Sequence, residues 1–320
     1  MDQRVASSED SRPLEPAKFR DPDVTAKGEA RAFVALKALT TLWINTGTIC
    51  NLTCGNCYIE SSPTNDSLAY ISAAEVVDYL DEIAALDLPT REIGFTGGEP
   101  FLNPDFMAML EEVLKRGFEA LVLTNAMRPM MKCTDALLDL KRRFGDTLTL
   151  RVSIDHPTPR GHEAERGQNS WAPMITGLRW LSDNGFRIAV AGRSGFGRAG
   201  ENLQAAYSDL FRREGVRIDA ADPAQLVLFP EMDAAKDVPE ITTGCWEILH
   251  VDPNDMMCAS SRMVVKRKGA DRPAVLSCTL LAYDPQFEMG PRLADARGPV
   301  KLNHPHCATF CVLGGASCSG

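Results

Sequence analysis

At 320 residues, with 44% hydrophobic side chains and a mean hydropathy of −0.15, the chain can bury a sizeable core, and it has no apolar run long enough to span a bilayer. A formal charge of −9 and a pI near 5.2 argue against a nucleic-acid partner, because such binding rests on neutralising phosphates with Lys and Arg; small molecules or peptides fit better. Ten cysteines without an N-terminal secretion signal point to metal ligation in a reducing, cytoplasmic setting rather than to disulfides.

Residues 1–36 are rich in charge, Ser and Pro and show no period, which predicts a mobile arm or a strap across the main domain. Leu42-Trp-Ile-Asn-Thr46 is a short β-type run, and Thr-Gly-Thr then delivers Cys50-Asn-Leu-Thr-Cys54-Gly-Asn-Cys57-Tyr58 at the strand's end. Ser72-Ala-Ala-Glu75 is a capping box that opens a helix with Val76, Val77, Leu80, Ile83 and Ala84 at helical spacing. Glu92–Thr96 reads as the second strand. Asn103-Pro104 then supplies an N-cap and first position for a helix through Leu114, stopped at Gly117.

The alternation continues with strands over 120–124, 148–154, 187–191 and 225–229, separated by helices over 134–143, 171–184 and 201–213. Six strand–helix units at this period predict a parallel sheet, whether open or closed toward a barrel. From about residue 240 the character changes. Cys245 to Cys258 reads as two strands joined at Pro253-Asn-Asp255, and six cysteines fall in this last quarter. The expected organisation is a flexible arm over 1–36, an α/β domain over 37–238 and a small cysteine-rich α+β module over 239–320.

Three thiols spaced as Cys50, Cys54 and Cys57 can hold three corners of a cubic [4Fe–4S] cluster and leave the fourth iron open. A zinc knot would need a fourth Cys or His, and the closest histidine, His156, is far along the chain. At this spacing the stretch resembles the signature of the radical S-adenosylmethionine (SAM) enzymes, in which SAM occupies the open iron. The resemblance implies a partial (β/α)6 TIM-like barrel, with SAM and substrate across its C-terminal mouth. It extends to Thr96-Gly97-Gly98-Glu99-Pro100, where the glycines let backbone approach a ligand and the carboxylate can accept from SAM's ammonium. Tyr58 also follows the family pattern. The residue before Cys57, often aromatic in the family, is Asn56 here.

Asn125 at the third strand's tip, and Ser153 and Asp155 at the fourth, resemble family positions that line SAM. Strand alternation puts Ser153 and Asp155 on one face, opposite Val152 and Ile154. His162-Glu-Ala-Glu-Arg166 is similar to a His-acid-x-x-Arg segment of the family. Arg166 is a candidate for SAM's carboxylate through a bidentate pair, with Arg193 as competitor. His162 is an orienting partner or, as a second reading, a catalytic base. Cys133 is a hydrogen-atom donor near the mouth or a small buried residue.

Cys245, Cys258, Cys278, Cys307, Cys311 and Cys318 resemble the ligands of twitch or SPASM extensions, which carry auxiliary [4Fe–4S] clusters. Four cysteines saturate one cluster and six cannot saturate two, so one auxiliary cluster is expected, a second only with incomplete ligation; a structural zinc site is the alternative.

The resemblance implies an enzyme that reductively cleaves SAM to a 5′-deoxyadenosyl radical and abstracts a hydrogen atom, served by a flavodoxin- or ferredoxin-type donor. The auxiliary cluster would assist oxidation or anchor substrate. About 36 residues before the barrel are too few for a separate peptide-recognition domain, which favours a small-molecule substrate. A maturase of ribosomally synthesised peptides is the alternative, and a non-catalytic Fe–S or zinc sensor a further one.

Overall fold

The computed structural model describes residues 12–194 and 202–315. In chain order the strands are β1 (Phe33–Val34), β2 (Thr41–Asn45), β3 (Glu92–Thr96), β4 (Glu119–Thr124), β5 (Leu148–Ser153), β6 (Arg187–Arg193), β7 (Leu226–Phe229), β8 (Ser261–Val265), β9 (Ala274–Leu276) and β10 (Val300–Lys301). The α-helices are α1 (Ala73–Ala85), α2 (Phe106–Lys115), α3 (Arg128–Met131), α4 (Thr134–Phe144), α5 (Pro159–Arg166), α6 (Trp171–Asp183), α7 (Leu203–Glu214) and α8 (Cys245–Leu249).

One sheet of eight strands runs in the order β7-β6-β5-β4-β3-β2-β8-β9. Every pairing from β7 to β8 is parallel, and β9 closes the row antiparallel to β8. The six expected strands are therefore present in consecutive order, as a partial barrel of strand–helix units. α1 opens on the expected capping box: the Ser72 hydroxyl accepts from Glu75 N, and the Glu75 carboxylate accepts from Ser72 N at 3.0 Å.

α2 departs from expectation. Its N-cap is Asp105, while Asn103 instead donates its side-chain amide to the carbonyls of Thr46 and Ile71, each at 2.9 Å. That amide pins the turn after β3 to the end of β2. The helix expected from 201 begins at Leu203, and Glu201 lies outside the described residues.

Alternation along the strands sorts two cores. Leu42, Ile44, Ile93, Phe95, Leu150 and Val152 face the helices, whereas Trp43, Leu121, Met263 and Leu276 fill the inside of the sheet's curve. Trp43 needs a glycine opposite it, since a Cβ at Gly94 would stand 2.4 Å from the indole.

The region after 240 does not form the expected two strands over 245–258. It forms α8, a 3-10 turn at Pro253–Asp255 and a second at Met257–Ala259. β8 then pairs with β2, so the boundary expected near 239 is crossed by the main sheet.

Residues 12–34 form a strap rather than a free arm. Leu14 N donates to Ala235 O at 2.7 Å, β1 pairs with β10, and the buried Arg31 guanidinium meets Glu240 at 2.5 Å. Glu240 also accepts from Phe19 N and Ala26 N. Truncating one partner of such a pair strands the other charge without compensation. Glu240→Ala is therefore expected to cost about 3–5 kcal/mol in urea unfolding and to expose residues 12–34 to limited proteolysis.

Candidate active site

The tips of β2 and β3 are built as one piece. Thr46 N donates to Thr96 O at 2.8 Å, Gly98 N to Gly47 O at 2.7 Å and Glu99 N to Ile49 O at 3.1 Å. Side chains are excluded there: a Cβ on Gly98 would lie 2.2 Å from the Ile49 oxygen, and Gly97 has φ +138° with the Gly47 oxygen 2.5 Å from where its Cβ would be. The glycines thus admit the cysteine loop's own backbone, and they also face the cavity beside it. Beyond this contact, Cys50 N donates to Ser62 O, Ser61 N donates to Cys57 Sγ, and the Tyr283 hydroxyl donates to Ile59 O.

Cys50, Cys54, Cys57 and Tyr58 line this cavity with Gly97 and Gly98. Asn125, Ser153, Asp155, Arg166 and Arg193, from the tips of β4, β5 and β6 and the end of α5, complete its polar wall. An apolar wall is made by Phe229, Met232, Leu280 and Phe310, with the two phenylalanine rings 5.4 Å apart. Sequence reasoning missed this wall, because Met232, Leu280 and Phe310 sit outside periodic segments.

Three of the expected residues are placed differently. The Glu99 carboxylate, 1% exposed, is not among the cavity-lining groups; it lies behind two that are, accepting from the Thr124 hydroxyl at 2.8 Å and from Asn125 N at 2.9 Å. His162 is the buried residue of α5, edge-on to Trp171, with Nδ1 lacking a partner, and burial followed by the Arg166 charge lowers its pKa to about 4. It is not among the cavity-lining residues, so it is not placed to act as a base there. Cys133 precedes α4 with its thiol directed toward Pro129 O at 3.8 Å, and it is not among the cavity-lining residues.

Both arginines carry carboxylate partners. Arg166 makes a bidentate pair with Asp155, at 2.8 and 3.1 Å, and Arg193 pairs with Glu231 at 2.8 and 3.1 Å.

Burial pushes the Cys50 thiol up to about 12 and raises Cys54, whose cost is partly relieved by Arg166. A cationic metal centre is what converts such buried thiols to thiolates. Among the described residues no three Cys, His, Asp or Glu side chains converge on a single ion. A cubane instead asks for one thiolate at each of three separate corners, and three free cysteines on one cavity wall fit that demand.

Residues 44–202 match the Radical SAM superfamily. The chain belongs to the radical SAM superfamily. A [4Fe–4S] cluster and SAM are its cofactors, and Cys50, Cys54 and Cys57 are three thiols in the cavity that could hold the cluster. Among relatives, the antilisterial bacteriocin subtilosin biosynthesis protein AlbA of Bacillus subtilis is 32% identical over 143 residues, covering 44% of this chain and 30% of AlbA. Mycofactocin maturase MftC of Mycobacterium ulcerans is 28% identical over 140 residues, covering 44% and 36%. The matched part spans about a third of each relative's length. Streptococcus suis SuiB, solved bound to S-adenosylmethionine, superposes with TM-score 0.57 at 11% identity over 79% of this chain and 63% of its own, which establishes a shared fold.

The C-terminal cysteines are only partly gathered. Cys258 and Cys307 are buried in the inner apolar cluster, with Cys245, Cys278 and Cys311 packed against it. Burial raises the Cys307 thiol well above its ordinary value, and the neighbouring Cys278 and Cys258 add to the rise, so these three lie near one another. Cys318 lies outside the described residues.

Burial also raises Glu99, to about 7, against the lowering effect of its hydrogen bonds. A carboxyl raised in the folded state binds its proton more tightly there than in the unfolded chain, so its contribution to stability is lost as pH rises from about 4.5 to about 7. In denaturant unfolding, Glu99→Gln should remove that part of the pH dependence, the difference from wild type changing by roughly 2–3 kcal/mol across this window.

Proposed function

We propose that this radical SAM enzyme acts on a peptide, abstracting a hydrogen atom from a residue presented against the apolar wall of the cavity. The observation that carries this reading is the cavity's mixed lining: three thiols and polar strand tips together with the apolar side chains Phe229, Met232, Leu280 and Phe310, drawn from β7, the loop after it and the C-terminal region. That wall suits an apolar side chain better than a charged metabolite. AlbA is named for biosynthesis of a bacteriocin, MftC is named a maturase, and SuiB has been solved bound to precursor peptide SuiA. These names fit the peptide alternative.

When bound, the cluster and SAM supply hydrogen-atom abstraction from an unactivated carbon. The protein's part is orientation and exclusion of solvent. Ser153 and Asn125 offer hydrogen-bonding groups on the polar wall, and Arg166, braced by Asp155, places a fixed positive charge where a carboxylate of SAM would be held. Arg193, on the β6 side of the cavity, is the competing candidate for that carboxylate. Cys258, Cys278 and Cys307, supplemented by Cys245 or Cys311, would hold one auxiliary [4Fe–4S] cluster, and a flavodoxin- or ferredoxin-type protein would supply the electron.

Anaerobic reconstitution with dithionite and SAM should yield 5′-deoxyadenosine, and Cys54→Ala should reduce it to background. A cluster-loaded wild-type protein that forms none would sink the enzyme reading. With precursor peptides encoded beside the gene, the peptide's mass should fall by about 2 Da per bond formed between two C–H or X–H positions; turnover of a small metabolite with unchanged peptides would reverse the substrate assignment. The variant lacking Cys50, Cys54 and Cys57 should retain about four irons per chain, all of them in the auxiliary site.

A further inference from the structure

The cysteine loop has few bonds of its own between its last two ligands. Gly55 and Asn56 are both exposed, and the internal bond across them, Cys57 N to Cys54 O, is long at 3.4 Å. What holds this pair comes from α5. Gly55 N donates to the backbone oxygen of Glu165 at 2.9 Å, and the Asn56 side-chain amide donates to the Glu165 carboxylate at 2.7 Å. On its other side the Asn56 carbonyl accepts from Arg193 Nη1 at 3.3 Å. The next residue of α5, Arg166, is the one bonded twice to Asp155 in the cavity wall.

We propose that Glu165 is a positioning residue for the cluster: its carboxylate, through Asn56, fixes the segment between Cys54 and Cys57 so that both thiols meet their irons. This rests on the reading that Cys50, Cys54 and Cys57 ligate the cluster. It also gives Asn56 a purpose. An aromatic side chain at this position has no amide to offer a carboxylate, whereas Asn supplies a donor to a charged acceptor, among the stronger classes of hydrogen bond. α5 thereby links two parts of the site through adjacent residues, Glu165 to the cysteine loop and Arg166 to Asp155.

The test uses the anaerobically reconstituted full chain and two readouts besides turnover: the rate of iron loss to a ferrous chelator, and the electron paramagnetic resonance spectrum of the reduced cluster with and without SAM. Glu165→Ala, which spares the backbone bond to Gly55, should speed iron loss about fivefold, the factor that a bond of about 1 kcal/mol represents. Asn56→Asp sets two carboxylates against each other and should speed it about tenfold or more, with an altered spectrum in the presence of SAM. In the double variant Asn56→Asp/Glu165→Gln the donor and acceptor have changed places. It should return to within about twofold of wild type and recover the wild-type spectrum. If the single variants lose iron at the wild-type rate with unchanged spectra, or the exchanged pair is as impaired as Asn56→Asp alone, the positioning role is overturned. If wild-type protein takes up no more iron than Cys54→Ala, it is the cluster assignment that has failed.

Discussion

Two peptide carbonyls, those of Gly47 and Ile49, decide where the cysteine loop stands. The amides of Gly98 and Glu99 donate to them, and the approach is so close that no side chain fits at 97 or 98. The cysteine loop and the Gly-Gly-Glu-Pro turn are therefore two sides of one backbone contact. Glu99 extends it by bonding to Thr124 and Asn125, so the tips of β2, β3 and β4 form a single hydrogen-bonded unit. Burying the Glu99 carboxyl is costly unless its oxygens are satisfied, and three donors meet them, Phe101 N being the third. This unit fixes the start of the cysteine loop at Ile49, next to Cys50, while Gly55 and Asn56 further along are held by Glu165 of α5.

The same logic of a shared interior governs the C-terminal quarter. A six-strand half barrel leaves its inner face open between first and last strands, and that face must be covered by something apolar. Here β8 and β9 extend the sheet beyond β2, while Phe287 and Phe310 pack with Trp43, Leu121 and Met263 inside the curve. Phe310 also meets Phe229 at the tip of β7, so one residue of the C-terminal region both closes the interior and walls the cavity. The strap over 12–34 secures the arrangement from outside, its buried Arg31 held by Glu240 just before α8. An auxiliary centre among Cys258, Cys278 and Cys307 would thus sit within the barrel's own packing.

Local signals in the chain were legible where local physics decides. The capping box at Ser72 and Glu75, the alternation of β5 and the punctuation by Gly117 and Gly185 all act over a few residues, and the six-strand core followed from them. Nonlocal choices were not. Nothing in Ser261–Val265 marks β2 as its partner about 220 residues earlier, and a turn-forming Pro253-Asn-Asp serves a 3-10 turn as readily as a hairpin. Asn103 shows the same limit within a motif. The residue type was right for a cap, but two carbonyls from other elements, Thr46 and Ile71, competed for its amide. At the site, side-chain directions were legible only where strand alternation sets them: Ser153 and Asp155 line the cavity as alternation required, whereas Glu99, in a turn, bonds to Thr124 and Asn125.

The electrostatics of the cavity follow from that geometry. Burial disfavours the thiolate at Cys50 and Cys54, and the carboxylate of Glu99 stands close enough to raise Cys50 further. Loading a metal cluster must therefore release protons, and its affinity carries the cost of that release. Arg166 offsets part of the cost at Cys54, but its positive charge is already committed to Asp155. One guanidinium therefore serves two neighbours: it braces Asp155 in the cavity wall and lowers the cost of ionising Cys54, so the wall and the cysteine loop are electrostatically coupled through the end of α5.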